Sequence, residues 1–192
     1  MPFTRIADHR VMPWKDGGGV TTELAIDPPG ATVQGPFRWR LSMARVERSG
    51  PFSRFPGMDR SLLLVEGEGL DLSLEGRTPV RLQPGGLIAR FPGEAQASGH
   101  LPGGPVLDFN VISDRGAVAH RLARIILGKE PLALEPGALC LLYVLSGALQ
   151  VERWGRLDAR ELLRADGEAA LRLRAEGQAE FLAVWIEDTL QG

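Results

Sequence analysis

The chain reads as all-β, and three observations carry that reading. Its 24 glycines and 14 prolines are spread along all 192 residues, so turn signals recur every several residues and leave no room for long helices. Between the breaks stand short runs that either alternate apolar and polar residues or are wholly apolar, as strands do. A stretch of the first half is echoed in the second, which points to one β unit used twice and to two related barrels in a single chain.

Taken in order, the runs are VTTELAI (20–26), FRWRLSMARV (37–46), RSLLLVE (60–66), LDLSLE (70–75), GLIARF (86–91) and VLDFNVI (106–112). The second half adds HRLARIIL (120–127), ALCLLYVL (138–145), ALQVERW (148–154), AALRLRA (169–175) and EFLAVWIE (180–187). One segment, LDARELLRADG (157–167), fits a helical turn or two as well as a strand and loop, and stays unassigned. The echo pairs residues 61–91 with residues 140–174. Each has an apolar strand, a tight glycine turn, an alternating strand, a polar loop and a further strand, and the seam falls at SDRGAVAH, Ser113 to His120. The expected division is therefore 1–116 and 117–192, joined in one globular unit.

Acidic and basic residues nearly balance, 24 against 22, for a formal charge of -2. That leaves no polyelectrolyte footprint for nucleic acid or for an anionic membrane surface. The single Cys140 rules out an internal disulfide and sits in an apolar run where a buried, inert thiol is expected. The opening MPFTRIADHR lacks the apolar stretch of a secretory signal, and no run approaches the roughly 20 apolar residues of a membrane helix, so a cytoplasmic protein is expected.

MPWKDGGGV, Met12 to Val20, invites a phosphate-loop reading because bare backbone N–H groups beside a lysine bind phosphate. The order is wrong for it: Lys15 precedes the glycines, and Val20-Thr21-Thr22 favours a strand where a P-loop opens a helix. A strand-entry turn that brings Trp14 and Lys15 to a pocket mouth fits better. Alternation puts Phe37, Trp39, Leu41 and Met43 on one face of the second run and Arg38, Arg40, Ser42 and Ala44 on the other. The polar face is either solvated or a polar barrel lumen. Asp108 and Asn110 likewise share a face opposite Leu107, Phe109 and Val111. PFSRFPGMDR, Pro51 to Arg60, is a rigid loop in which Asp59 and Arg60 either pair at the surface or face a site, with Phe55 as a wall.

The VEGEG turn and the later QPGG strand resemble the two motifs of the cupin fold, a metal-binding barrel. At the family's ligand positions this chain has Arg60 in place of the glutamate, Ser53-Arg54-Phe55-Pro56 in place of the histidine pair, and Ala89 in place of the last histidine. In the second half Cys140 stands at the glutamate position. His9, His100 and His120 are too scattered to replace the lost set, so neither a metal nor another cofactor is expected. A guanidinium where a metal ligand stood suits a carboxylate or phosphate.

MPWKDGGGVTTELA, FRWRLSMARV, GPFSRFPGMDRSLLLVEGEG and LDFNVISDRG occur in the order and spacing of the HutD/Ves family, which the chain resembles most clearly up to about residue 116. The resemblance implies a bicupin, two cupin-like β-barrels or jelly rolls packed in one chain, without a recognised metal site. It also implies an auxiliary or regulatory role in histidine utilization. The family motif carries Asn where this chain has Asp16, which keeps an oxygen acceptor for the turn but loses the amide donors.

The function expected is binding of a small anionic or polar metabolite bearing a carboxylate, such as urocanate or formylglutamate, in the first half. Arg60 and Lys15 would hold the carboxylate, Trp14 and Phe55 would wall the site, and Arg40, Ser42, Asp108 and Asn110 would supply hydrogen bonds, with Asp16 at the mouth. A metal-independent isomerase or epimerase is the alternative, with Asp59, Asp108 and Lys15 as candidate acid and base. An interaction module with a vestigial pocket is the third. The second half is expected to be structural or to form a homodimer surface.

Overall fold

The computed structural model describes residues 9–135, 137–167 and 170–189, and all regular structure among them is strand. The chain divides into two compact units, the first spanning His9–Val118 and the second running from Ala119.

The first unit contains β1 (Arg10–Pro13), β2 (Gly19–Asp27), β3 (Trp39–Val46), β4 (Gly50–Pro51), β5 (Met58–Glu66), β6 (Leu70–Leu74), β7 (Val80–Leu82), β8 (Ala89–Pro92), β9 (Ala97–His100) and β10 (Val106–Asp114). They form a six-stranded sheet in the order β1-β2-β3-β10-β5-β8 and a four-stranded sheet in the order β4-β9-β6-β7. The paired strands are antiparallel. The core joins the two sheets: Leu62 and Leu64 of β5, Phe91 of β8 and Val106 of β10 pack with Leu70, Leu72, Leu82 and Ala97 of the smaller sheet. Each fully buried leucine there contributes about 1.5–3 kcal/mol over an exposed one.

The second unit contains β11 (Val118–Leu127), β12 (Leu132–Leu134), β13 (Leu139–Ser146), β14 (Ala148–Val151), β15 (Gly155–Asp158), β16 (Leu162–Asp166), β17 (Leu171–Ala175) and β18 (Ala179–Asp188). Its sheets run β11-β18-β13-β16 and β12-β17-β14-β15. Adding eight to each label from β3 to β10 reproduces both orders, so the duplication is complete in topology. It corrects the sequence echo in one place. The strand that answers β8 is β16, inside the segment left unassigned, whereas the echo had aligned β8 with β17. The β1–β2 hairpin has no counterpart among the described residues of the second unit.

β3 and β10 are buried along nearly their whole length. Trp39, Leu41 and Met43 are buried on one face, and Arg40, Ser42 and Ala44 face the interior of the first unit. The polar face is thus the lumen. No helix of the described residues is long and apolar enough to cross a membrane.

Candidate functional site

Strand register assembles the polar lumen. Arg40 of β3 lies opposite Ile112 of β10, which lies opposite Arg60 of β5, which lies opposite Phe91 of β8. One row over, Glu23 of β2, Ser42, Asn110 and Leu62 form the next file across the sheet, and Thr21, Ala44, Asp108 and Leu64 the one after. Because side chains alternate, all of these point to the same side. Of these, Thr21, Arg40, Ser42, Ala44, Arg60, Asp108, Asn110 and Ile112 line a cavity of about 480 Å³ together with Met12, Trp14, Lys15 and Asp16 of the β1–β2 hairpin and Pro51, Phe52, Ser53 and Phe55 of the segment before β5.

Arg60 is the centre of the floor. It is buried, and it donates from Nε and Nη2 to Oδ1 of Asn110 at 2.8 and 2.6 Å. Its guanidinium carbon lies 4.9 Å from the centre of the Phe52 ring and 5.4 Å from that of Phe91, so aromatic faces shield the cation. Asn110 passes the polarity on by donating from Nδ2 to Oδ1 of Asp108. Oδ2 of Asp108 has no hydrogen-bond partner among the described residues. Burial pushes the Asp108 carboxyl up to about 7, with the charge of Arg60 and the Asn110 hydrogen bond pulling the other way. Burial also pulls Arg60 down to about 10, opposed by Asp108 and reinforced by Arg40, which leaves the guanidinium protonated at neutral pH.

Arg40 is differently placed. Its Nε donates to Oε2 of Glu23 at 2.7 Å, and both side chains are buried, so its charge is neutralised locally. Lys15 is exposed at the mouth. Trp14 is half-buried and donates from its indole Nε1 to Oγ1 of Thr21 at 2.8 Å, which ties the ring to its own hairpin. The glycines make that possible. A Cβ on Gly19 would lie 2.3 Å from the carbonyl oxygen of Arg45 and 3.2 Å from the Trp14 ring, so only glycine lets the hairpin close on β3. Asp16 accepts from the backbone N–H of Gly18 at 2.9 Å, closing the turn as an Asx turn does.

All the residues expected at the site from sequence line this cavity except Asp59. Asp59 precedes Arg60 on β5 and so projects to the other side, where its Oδ1 accepts from Nε of Arg115 at 2.8 Å. The surface Asp59–Arg60 pair considered as an alternative is absent for the same reason. Arg115, held by Asp59, Glu94 and the Met58 carbonyl, clamps the start of β5 from outside and is not among the residues that line the cavity. Among the residues that sequence reasoning missed are Thr21 and Phe52 in the lining and Glu23 as the partner of Arg40. Glu23 and Thr21 do lie on one face of an alternating run, but nothing in that run marks an inward carboxylate. Among the described residues, no three His, Cys, Asp or Glu side chains are grouped so as to hold a metal ion. Ala89, at the former histidine position, belongs to the apolar core.

The HutD family model matches residues 6–183. A 21.2 kDa protein encoded in the hutC 3' region of Pseudomonas putida is 36% identical over 188 residues, covering 96% of each chain. Protein Ves of Citrobacter koseri is 31% identical over 199 residues, covering 96% of this chain and 98% of its own. Among solved structures, HutD from Pseudomonas fluorescens superposes with a TM-score of 0.81 at 29% identity, over 97% of this chain and 98% of that one. Oxalate decarboxylase from Bacillus subtilis reaches 0.70 at 10% identity, over 98% of this chain and 78% of that one, a likeness of fold.

Proposed function

The chain belongs to the HutD family, and on that premise we propose that its first unit binds a small carboxylate-bearing metabolite. The observation that carries the reading is Arg60, a buried guanidinium whose closest partner is a neutral amide rather than a carboxylate. A buried cation held this way keeps an unspent preference for an anion, and the planar fork of donors matches a carboxylate. Lys15 at the mouth adds attraction for an entering anion, and Trp14, Phe52 and Phe55 supply apolar walls for its body. The names of the P. putida relative and of P. fluorescens HutD both point to histidine utilization, so acids of that pathway, urocanate and formylglutamate, are the first ligands to try, with an auxiliary or regulatory role for the complex.

Isothermal titration of the protein with urocanate, N-formylglutamate and glutamate tests this. Binding of at least one acid that is lost in Arg60→Met, with no binding of the corresponding amides, is the expected outcome. Silence towards every acid would discard the ligand class. Asp108 favours a second reading, since a buried carboxyl titrating near neutrality is what a proton-abstracting isomerase uses. Exchange of solvent deuterium into the bound acid's carbon-bound positions would support it, and a binder gives none.

A further inference from the structure

Two negative charges would compete for one guanidinium at the cavity floor. Arg60 reaches Asp108 only through Asn110, which accepts from the guanidinium with its oxygen and donates to Asp108 Oδ1 with its nitrogen. The other charged groups facing this point do not relieve the competition. Arg40 on β3 is already neutralised by Glu23 on β2, and Lys15 and Asp16 on the hairpin turn are exposed at the mouth. On β5 and β8 the neighbours on this face are Leu62, Leu64, Ala89 and Phe91. The opposing sheet turns Leu70, Leu72, Leu82 and Ala97 inward and carries Asp71, Arg81 and His100 at the alternate, outward positions. Asp108 itself is fully buried, and its Oδ2 is the one carboxyl oxygen that Asn110 leaves free.

We propose that the cavity takes up an organic anion and a proton together, the anion at the guanidinium of Arg60 and the proton on Oδ2 of Asp108. This rests on the carboxylate-binding reading and adds to it. An anion at Arg60 withdraws the positive charge that stabilises ionised Asp108, so the carboxyl becomes neutral, and the pair of buried charges stays one positive and one negative. The amide of Asn110 can donate to Oδ1 in either state, so no rearrangement is needed. Asp108 acts here as a positioning residue that sets the charge of the floor through Asn110. Its carboxyl, already lifted towards neutrality by burial, is poised to make the exchange at physiological pH. By linkage the affinity for an anion is flat below the titration of Asp108 and falls about tenfold per pH unit above it.

Calorimetric titration with N-formylglutamate, which has no group titrating near neutrality, tests the proposal when repeated at pH 5.5 and 8 in buffers of differing ionisation enthalpy. Uptake approaching one proton is expected at pH 8 and almost none at pH 5.5. Asp108→Asn, a mimic of the protonated acid, is expected to bind without uptake and with equal affinity at both values. Wild-type binding without uptake at pH 8, or an Asn variant that keeps the pH dependence, overturns the proton coupling while leaving anion binding intact. No heat from the wild type at pH 5.5, where binding is most favoured, overturns the binding reading and the coupling with it. The buffer comparison on wild type decides the matter even where the variant does not fold. In ligand-free protein, 13C-detected titration should show the Asp108 carboxyl ionising near neutrality, and ionisation in the ordinary aspartate range would also overturn the coupling.

Discussion

At Asp108 the native state holds a proton that the unfolded chain gives up. The carboxyl titrates near 7 when folded against 3.8 in the open chain, so between those values the folded protein binds more protons. Its contribution to stability is therefore full below about pH 4, is lost as the pH rises towards 7, and levels off above. Glu94, held low by Arg115, brings a pH dependence of its own, so the contrast with Asp108→Asn isolates the Asp108 contribution. In urea unfolding at pH 4, 6 and 8, the variant should gain on wild type as the pH rises, by on the order of 3 kcal/mol in all. Parallel profiles would place the Asp108 titration at its ordinary value. Glu23 sits on the opposite side of the ledger of charge. Removing it strands Arg40 in a buried site, so Glu23→Ala should cost about 3–5 kcal/mol, and Glu23→Gln less, because its carbonyl oxygen still accepts from Nε. Equal losses in the two variants would mean that side-chain packing, not the guanidinium, is at stake.

The walls of the cavity are the β1–β2 hairpin, which β2 joins to β3 along its length, and the segment before β5, which docks through a few backbone hydrogen bonds. The segment before β5 docks through Phe52 N–H to the Ala97 carbonyl, Phe55 N–H to that of Gly93 and Gly93 N–H to that of Met58, at 2.9, 2.7 and 2.8 Å. A Cβ on Gly93 would stand 2.5 Å from the Phe55 carbonyl oxygen, so Gly93→Ala must push the segment out. A loss of about 1–3 kcal/mol is expected, with faster proteolysis between Phe52 and Met58 and weaker anion binding. Unchanged protease susceptibility would show that the segment is held elsewhere. The hairpin behaves differently: Asp16→Asn keeps the Oδ1 acceptor for Gly18 and should shift the melting temperature little, while Asp16→Ala frees the Gly18 N–H and should cost about 1 kcal/mol. These elements also mark where sequence reading stopped. Long alternating runs such as β3 and β10 announced themselves, and with them Arg40, Ser42, Asp108 and Asn110. β4 and β9 are short and carry Gly50-Pro51 and Ala97-Ser98-Gly99-His100, too little apolar surface to show a period, so the docking partner of Phe52 was invisible. Asp59 was misjudged because it was read as loop; as part of β5 it obeys alternation and must face away from Arg60.

Duplication sets a polar floor in the first unit against an apolar one in the second. The registers equate Arg60 opposite Ile112 with Cys140 opposite Trp185, and Leu62 opposite Asn110 with Leu142 opposite Ala183. At the next inward step Leu64 opposite Asp108 answers to Val144 opposite Phe181. The polar triad Arg60, Asn110 and Asp108 of the first unit is thus Cys140, Ala183 and Phe181 in the second, all in its apolar core. The described residues of the second unit also lack the hairpin that walls the first. Cys140 accordingly has its thiol pushed up to about 12 by burial, against a small pull from Arg121, and should stay unreactive towards Ellman's reagent until the protein unfolds. The two floors are not interchangeable. Cys140→Arg would bury a guanidinium among Leu142, Val144, Phe181 and Ala183, with neither an amide nor a carboxylate in place, and should unfold the second unit or cost more than about 3 kcal/mol. Arg60→Cys removes a charge from a site built around it, leaving Asn110 short of donors and Asp108 without its counter-charge, so its loss should be partial and should shrink at low pH, where Asp108 is neutral. Urea unfolding of both variants at pH 5 and 8 separates the cases. A Cys140→Arg protein as stable as Arg60→Cys at pH 5 would mean that the second unit can hydrate its core, and that its apolar floor is not what distinguishes the two halves.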